Sequence, residues 1–160
     1  MTVPRAILTG GVVVGVLDLA DALIFFGFRG AAPIRICQSI AAGLLGRAAF
    51  DGGWPTALLG VALHFLIATI IVAVFVLASR QLPALTSRPW ITGPLYGIAA
   101  FLVMNLVVVP LSASSGTFPK GAPLVNGILI HMFGVGLPAA LAARAAARRR
   151  WPAPRRPQSP

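Results

Sequence analysis

The sequence predicts an all-α membrane protein with four transmembrane helices and one short interfacial or re-entrant helix. Of its 160 residues, 58% are hydrophobic and only 10% are charged, a composition outside the range of soluble domains. Four apolar runs reach the length of about 20 residues that a helix needs to cross the hydrocarbon core. The segments between them hold basic residues and turn-forming prolines, as loops at a membrane surface do. We expect one transmembrane domain over 1–143, with spans at about 7–28, 54–78, 90–111 and 124–143.

The first span carries two carboxylates inside its apolar sequence, Asp18 and Asp21. Gly11, Gly15, Asp18 and Ala22 share one helical stripe of small residues, which points the Asp18 side chain at a neighbouring helix. Asp21 lies three residues further on and near the same face. An ionisable group at this depth is costly unless it is paired, protonated or hydrated, so both are candidate functional residues. The alternative is a protonated carboxyl that only hydrogen-bonds a neighbouring helix.

The segment after the first span differs from the four long runs, because charged and polar residues interrupt it. Arg35 and Arg47 are separated by too few residues to span the membrane. A short interfacial or re-entrant helix at about 33–50 fits best, and Arg29, Arg35 and Arg47 are predicted to contact lipid head groups. The alternative is a fifth spanning helix, which would reverse the position of the N-terminus.

The other spans carry isolated polar side chains near their middles. His64 in the second span and His131 in the fourth are each flanked by small residues at helical spacing, so each is expected to face another helix. Asn105 is the only strongly polar residue of the third span and does not fall cleanly on its glycine face. Positions counted from the helix ends place Asp18, His64 and His131 close to one depth, with Asp21 and Asn105 somewhat further out. These five residues are predicted to form one intramembrane polar layer.

This layer allows several chemical roles, and Asn126 is expected to lie outside it. A carboxylate beside two imidazoles can pass protons or hold a coupling ion. His64 and His131 could ligate haem b axially, and the same histidines with Asp18 could bind a divalent metal. We expect no cofactor, with haem b and a divalent metal as alternatives. The remaining interpretation is structural, with hydrogen bonds that only hold the helices together.

Composition excludes several classes of site. The lone Cys37 excludes an intrachain disulfide and any multi-cysteine metal or iron–sulfur motif. The sequence contains no phosphate-binding glycine loop, no HExxH and no nucleophile elbow. A soluble-type enzyme is therefore not expected.

The basic residues predict the topology. With four spans both termini share one side, and nine of the 13 basic residues fall on that side. The positive-inside rule then places both termini in the cytoplasm. The tail at 144–160 is rich in proline and arginine, and its end is expected to be disordered. Its arginines are predicted to contact anionic phospholipid rather than nucleic acid, with Arg148, Arg149 and Arg150 as the candidates.

Four stretches carry a resemblance to known proteins: GGVVVGVLDLADALIFFGFRGAAPIRICQSIAAGLLGRAAF, LHF, MNLVVVPLSA and NGILIHMFGVGLP. Over residues 7–141 the chain resembles small uncharacterised multi-pass proteins of the bacterial inner membrane, of the YagU-like kind. The resemblance implies a bacterial inner-membrane location and no particular chemistry.

These observations favour a small transport or proton-relay protein that uses the intramembrane layer. A homo-oligomer or a membrane-protein partner is expected, since four short helices enclose little volume. The alternatives are a haem- or metal-binding redox protein and a non-catalytic scaffold or accessory subunit.

Overall fold

The computed structural model describes residues 1–114 and 116–148, and the expected disorder at the end of the tail lies outside this part of the chain. Within it the protein is built from helices, with no strand. Six helices follow in order: α1 Val3–Gly27, α2 Pro33–Leu45, α3 Gly53–Gln81, α4 Ala84–Ser87, α5 Pro89–Leu111 and α6 Ala122–Ala147.

Four of these helices, α1, α3, α5 and α6, are long and apolar enough to cross a membrane. The predicted all-α membrane fold is therefore confirmed. The helix ends differ from the predicted spans by at most four residues, and the largest differences are at the start of α1 and the end of α6. At both of these ends the helix continues past its apolar run into the neighbouring polar residues.

Successive spans are antiparallel, so the bundle has two distinct ends. We call the end that holds Val3 and Ala147 the terminal end, and the end that holds Gly27 and Gly53 the distal end. At the terminal end the Met1 amine donates a hydrogen bond to the Ala145 carbonyl at 3.2 Å. Helix α1 packs against α3 and α6, and α5 packs against α6.

Helix α2 has 13 residues and is about 20 Å long, too short to span the membrane. The alternative of a fifth spanning helix is therefore wrong. A 3₁₀ turn, Gly46–Phe50, follows α2, and the chain then enters α3. Gly46 and Gly53 have φ of 61° and 60°, which favours glycine where the chain reverses between these elements. Helix α2 crosses the first part of α3, where a side chain at Gly60 would overlap the Cys37 carbonyl.

The terminal half of the bundle is closely packed. Its buried residues come from α1, α3 and α6, and those of α6 are mainly alanines. Val72, Phe75 and Val76 of α3 are at most 2% exposed against them. Small residues on α6 allow the helices to approach closely, as is usual in membrane bundles.

The distal halves of α5 and α6 each contain a π-helical turn, at Met104–Val108 and His131–Gly136. In each case a proline follows two residues after the turn, Pro110 in α5 and Pro138 in α6. Proline has no N–H for the carbonyl one turn back and its ring crowds that carbonyl, so a wider turn before it relieves both problems. The π turns shift the phase of each helix beyond the point where they occur.

Candidate functional site

The distal half of the bundle holds a partly open cavity of about 470 Å³. Along α1 it reaches from Val14 to Phe26, about 18 Å at the rise of an α-helix. Each of the four spans contributes one strongly polar side chain to its wall, and these are Asp18, His64, Asn105 and His131. The remaining lining residues are mostly apolar, with Arg35 and Ser39 of α2 toward the distal end.

Asp18 lies between the two histidines. Its two carboxylate oxygens are 4.0 Å from His64 Nε2 and 3.9 Å from His131 Nδ1. The Asp18 side chain is 24% exposed, compared with 12% and 16% for the imidazoles, so the carboxylate is the most accessible of the three. These separations exceed hydrogen-bond length but permit a strong charge interaction if an imidazole is protonated. We call these three residues the polar centre.

Main-chain carbonyls hold both imidazoles in place. His64 Nε2 is 2.9 Å from the Gly15 carbonyl, and His131 Nδ1 is 2.9 Å from the Gly127 carbonyl. Because a carbonyl oxygen only accepts, each of these nitrogens carries the hydrogen when the ring is neutral. The His131 ring also packs edge-on to Phe101, with centroids 5.3 Å apart. Ring orientation is therefore fixed without any contribution from Asp18.

Small residues on α1 allow the Gly15 carbonyl to contact His64. The predicted stripe of small residues on α1 faces α3, since a side chain at Gly11 would meet Thr69 and one at Gly15 would meet Phe65. This close approach brings the Gly15 carbonyl within hydrogen-bond distance of His64. The next stripe position toward the distal end is Asp18.

The structure does not bring Asp21 to the cavity as the sequence predicted. Asp21 does not line the cavity, and its Oδ2 accepts a hydrogen bond from Asn126 Nδ2 at 2.7 Å. Three residues along a helix rotate the side chain by about 60° relative to Asp18, which is enough to aim Asp21 at α6 outside the cavity. The two residues form a separate link between α1 and α6.

Asn105 lies in the π turn at Met104–Val108 and lines the cavity. Its amide donates to the Phe101 carbonyl at 2.9 Å. The glycines of α5 pack against α6 instead, since a side chain at Gly93 or Gly97 would overlap its backbone, so Asn105 does not share their face.

Arg35 lines the cavity as well, a placement that sequence reasoning missed when it assigned this residue to lipid head groups. It lies in the first turn of α2, and its Nη1 donates to the Phe50 carbonyl at 2.8 Å. The guanidinium also lies over the Phe50 ring, 5.7 Å from the centroid. The sequence offers no direct signal for this position, because it depends on how α2 folds back on α3.

The other basic candidates lie elsewhere. Arg29 is exposed and its guanidinium lies 4.8 Å from the Phe25 ring centroid. Arg47 is exposed and borders a separate cavity of about 220 Å³. Arg148 is exposed at the end of α6, and Arg149 and Arg150 lie outside the described residues. Contact of these side chains with head groups stays a prediction.

The polar centre is not arranged as a set of metal ligands. In the part of the chain that is described, no three or more His, Cys, Asp or Glu side chains converge as metal ligands do. The imidazole nitrogens nearest to Asp18 carry hydrogens that are donated to carbonyls, so they offer no lone pair to a metal beside the carboxylate. Axial haem ligation by His64 and His131 stays a hypothesis.

Comparison of the chain with models of protein families, with curated proteins and with solved structures finds no match. The functional assignment therefore depends on the cavity and its polar centre.

Proposed function

We propose that this chain is a small proton-translocating transport protein of the bacterial inner membrane. Its proton-binding element is the polar centre of Asp18, His64 and His131. The supporting observation is that all four spans, distant in sequence, direct one polar side chain each into a single intramembrane cavity. A polar side chain in the middle of the membrane costs free energy, and helix packing alone does not require four such side chains to share one cavity.

The polar centre has the chemistry of a proton relay. Carboxylates and imidazoles are the side chains that usually carry protons inside membrane proteins. The oxygens of Asp18 lie 3.9–4.0 Å from the hydrogen-bearing nitrogen of each ring. A ring that takes up a proton at its other nitrogen can therefore pass the facing proton to the Asp18 carboxylate after a small side-chain movement. Asp18 is also exposed to the cavity, whose lining extends to Phe26, Ala31 and Arg35 toward the distal end.

Release to the other side requires a conformational change, because the buried side chains of Val72 and Phe75 lie between this cavity and a second one of about 290 Å³ at the terminal end. The π turns and prolines of α5 and α6 provide the places at which the two halves of each helix can reorient. Proton passage is then gated rather than continuous, as in other alternating-access systems.

The orientation belongs to the same proposal. The excess of basic residues at the terminal end supports cytoplasmic termini, so the cavity faces the periplasm. The tail arginines then lie next to anionic phospholipid, with a homo-oligomer or a membrane protein as the expected partner.

The test is proton influx into proteoliposomes loaded with a pH-sensitive dye, driven by a potassium diffusion potential. We expect the wild-type protein to accelerate influx over empty vesicles and Asp18→Asn to lose at least tenfold of that rate. The matched control is Asp21→Asn, which makes the same change three residues away, outside the cavity, and keeps an acceptor for Asn126.

Asp21→Asn should retain influx within about twofold of the wild type. Wild-type influx equal to that of empty vesicles, or full activity in Asp18→Asn, would remove the proposal. Elution from a sizing column shows whether each variant is folded.

A further inference from the structure

We infer that the distal part of the cavity binds a small amphipathic anion, with its acidic group at Arg35 and its apolar chain along the cavity. This anion is the solute class of the proposed transport protein, and its role as a transported solute rests on the proposed function. The binding site itself stands on independent observations.

Arg35 supplies a fixed positive charge with donors to spare. A guanidinium stays protonated in proteins and carries five N–H donors. Both protein acceptors of Arg35, the Phe50 carbonyl at 2.8 Å and Gln38 Oε1 at 3.5 Å, are contacted by Nη1. Among the described residues, no carboxylate lies within ion-pair distance of it. Nε and Nη2 are therefore available to an acidic group.

Arg35 is an exposed residue, and two contacts restrain its guanidinium. The Phe50 carbonyl and the Phe50 ring restrain it from the 3₁₀ turn after α2. That turn is itself fixed to α3, because Thr56 Oγ1 donates to the Ala49 carbonyl at 2.6 Å. A restrained guanidinium loses little conformational freedom on binding a carboxylate or phosphate.

The cavity wall between Arg35 and the polar centre is apolar. Side chains from α1, α2 and α3 form it, and they include Leu19, Phe26, Ile36, Ile40 and Ile67. A volume of about 470 Å³ falls within the range of sites for small molecules. The combination of one cationic end and an apolar wall fits a single anionic group on a short hydrocarbon chain.

The charge arrangement favours an anion over a cation at the distal end. A cation would have to pass Arg35, whereas an anion is attracted there and stays well removed from Asp18. Arg35 lies four residues after Ala31, which lines the cavity and whose N–H bonds the Phe26 carbonyl at 3.0 Å. Phe26 is eight residues from Asp18 and thus about 12 Å away along α1. At this separation the two charged groups act on opposite ends of a bound molecule.

Binding is tested with three probes of equal chain length: octanoate, octanol and octylammonium. Calorimetry is performed on the full chain in nanodiscs of neutral phosphatidylcholine. We expect octanoate to bind at least tenfold more tightly than octanol, and octylammonium to bind no more tightly than octanol. Equal affinities for octanoate and octanol would overturn the inference.

Variants assign the effect to Arg35. Arg35→Gln should lower octanoate affinity at least tenfold and leave octanol unchanged, while Arg35→Lys, which keeps the charge, should stay within about fivefold of the wild type. Lys120→Gln removes a charge from an exposed position at the same end that does not line this cavity, and should change the affinity of neither probe. Wild-type octanoate affinity in Arg35→Gln, or equal loss in both Arg35 variants, would contradict the assignment.

The acidic group could belong to a free acid or to a lipid head group, and disc composition separates the two. In discs with phosphatidylglycerol, unchanged octanoate affinity supports a free acid as the ligand. Weakened affinity that is absent in Arg35→Gln supports a lipid at the same anion site. Octanoate binding without proton influx would leave the site in place and remove only the transport function.

Discussion

At the scale of single residues, two carboxylates three positions apart in one helix have different roles. Asp18 faces the cavity and two imidazoles, whereas Asp21 bonds to Asn126. The small-residue stripe predicted the direction of Asp18, because Gly11 and Gly15 can face only a close neighbour. No comparable pattern surrounds Asp21, and its partner depends on the rotation of α6 about its own axis, which the sequence does not specify.

The bond between Asp21 and Asn126 predicts a coupling between α1 and α6 that is independent of the cavity. Asp21→Ala and Asn126→Ala should each destabilise the protein, and the double variant should lose less than the two effects combined. The expected coupling is about 0.6 kcal/mol, typical of hydrogen bonds between membrane helices. It is measured from unfolding in a titration of denaturing detergent. Strictly additive losses would show that the bond contributes nothing.

At the scale of helices, the contact between α5 and α6 is formed by glycines. A side chain at Gly97 would overlap the His131 carbonyl, and one at Gly136 would overlap the Gly93 carbonyl. The backbones therefore touch directly, and this contact positions the His131 π turn beside the cavity. The glycine spacing was visible in the sequence, but the π turns were not.

Gly97→Ala should therefore destabilise the bundle by about 1–3 kcal/mol, because the added methyl group must push the two backbones apart. Gly27→Ala is the matched control, since nothing lies within 4 Å of the added methyl group at the end of α1. Both are compared by thermal unfolding in detergent. A midpoint for Gly97→Ala equal to that of Gly27→Ala would mean that the contact relaxes at no cost.

The long helices were predictable and the short one only in part. The length of the apolar runs determines the four spans. A backbone N–H or C=O group without a hydrogen-bond partner is costly in lipid, so an apolar run of this length folds as a helix. The same reasoning identified α2 as too short to span. Its place across α3 depends on the fit of Gly60 to the Cys37 carbonyl, a tertiary contact without a sequence signature. Since that contact brings Arg35 to the cavity, the anion-binding end of the site could not be foreseen.

At the scale of the whole molecule, the bundle is asymmetric along its axis. The terminal half has a core of alanine and valine with a cavity of about 290 Å³ at its end, and the distal half holds the cavity of about 470 Å³ with the polar centre. Large apolar side chains on every span point outward, for example Leu8, Leu66, Leu95 and Leu129, with exposed fractions of 49% or more. Burial of such surface against lipid explains why an open cavity is tolerated in a chain of only 160 residues.

The proposed orientation makes a final prediction about the two ends. In a Cys37→Ala background, a cysteine placed by Ser87→Cys reports the terminal end and one placed by Thr117→Cys reports the distal end. Both positions are exposed and lie between spans. With cytoplasmic termini, a membrane-impermeant maleimide should label intact cells through Thr117→Cys, and should label Ser87→Cys only after lysis. The reverse pattern would place the cavity on the cytoplasmic side, so that the anion would be drawn from inside the cell.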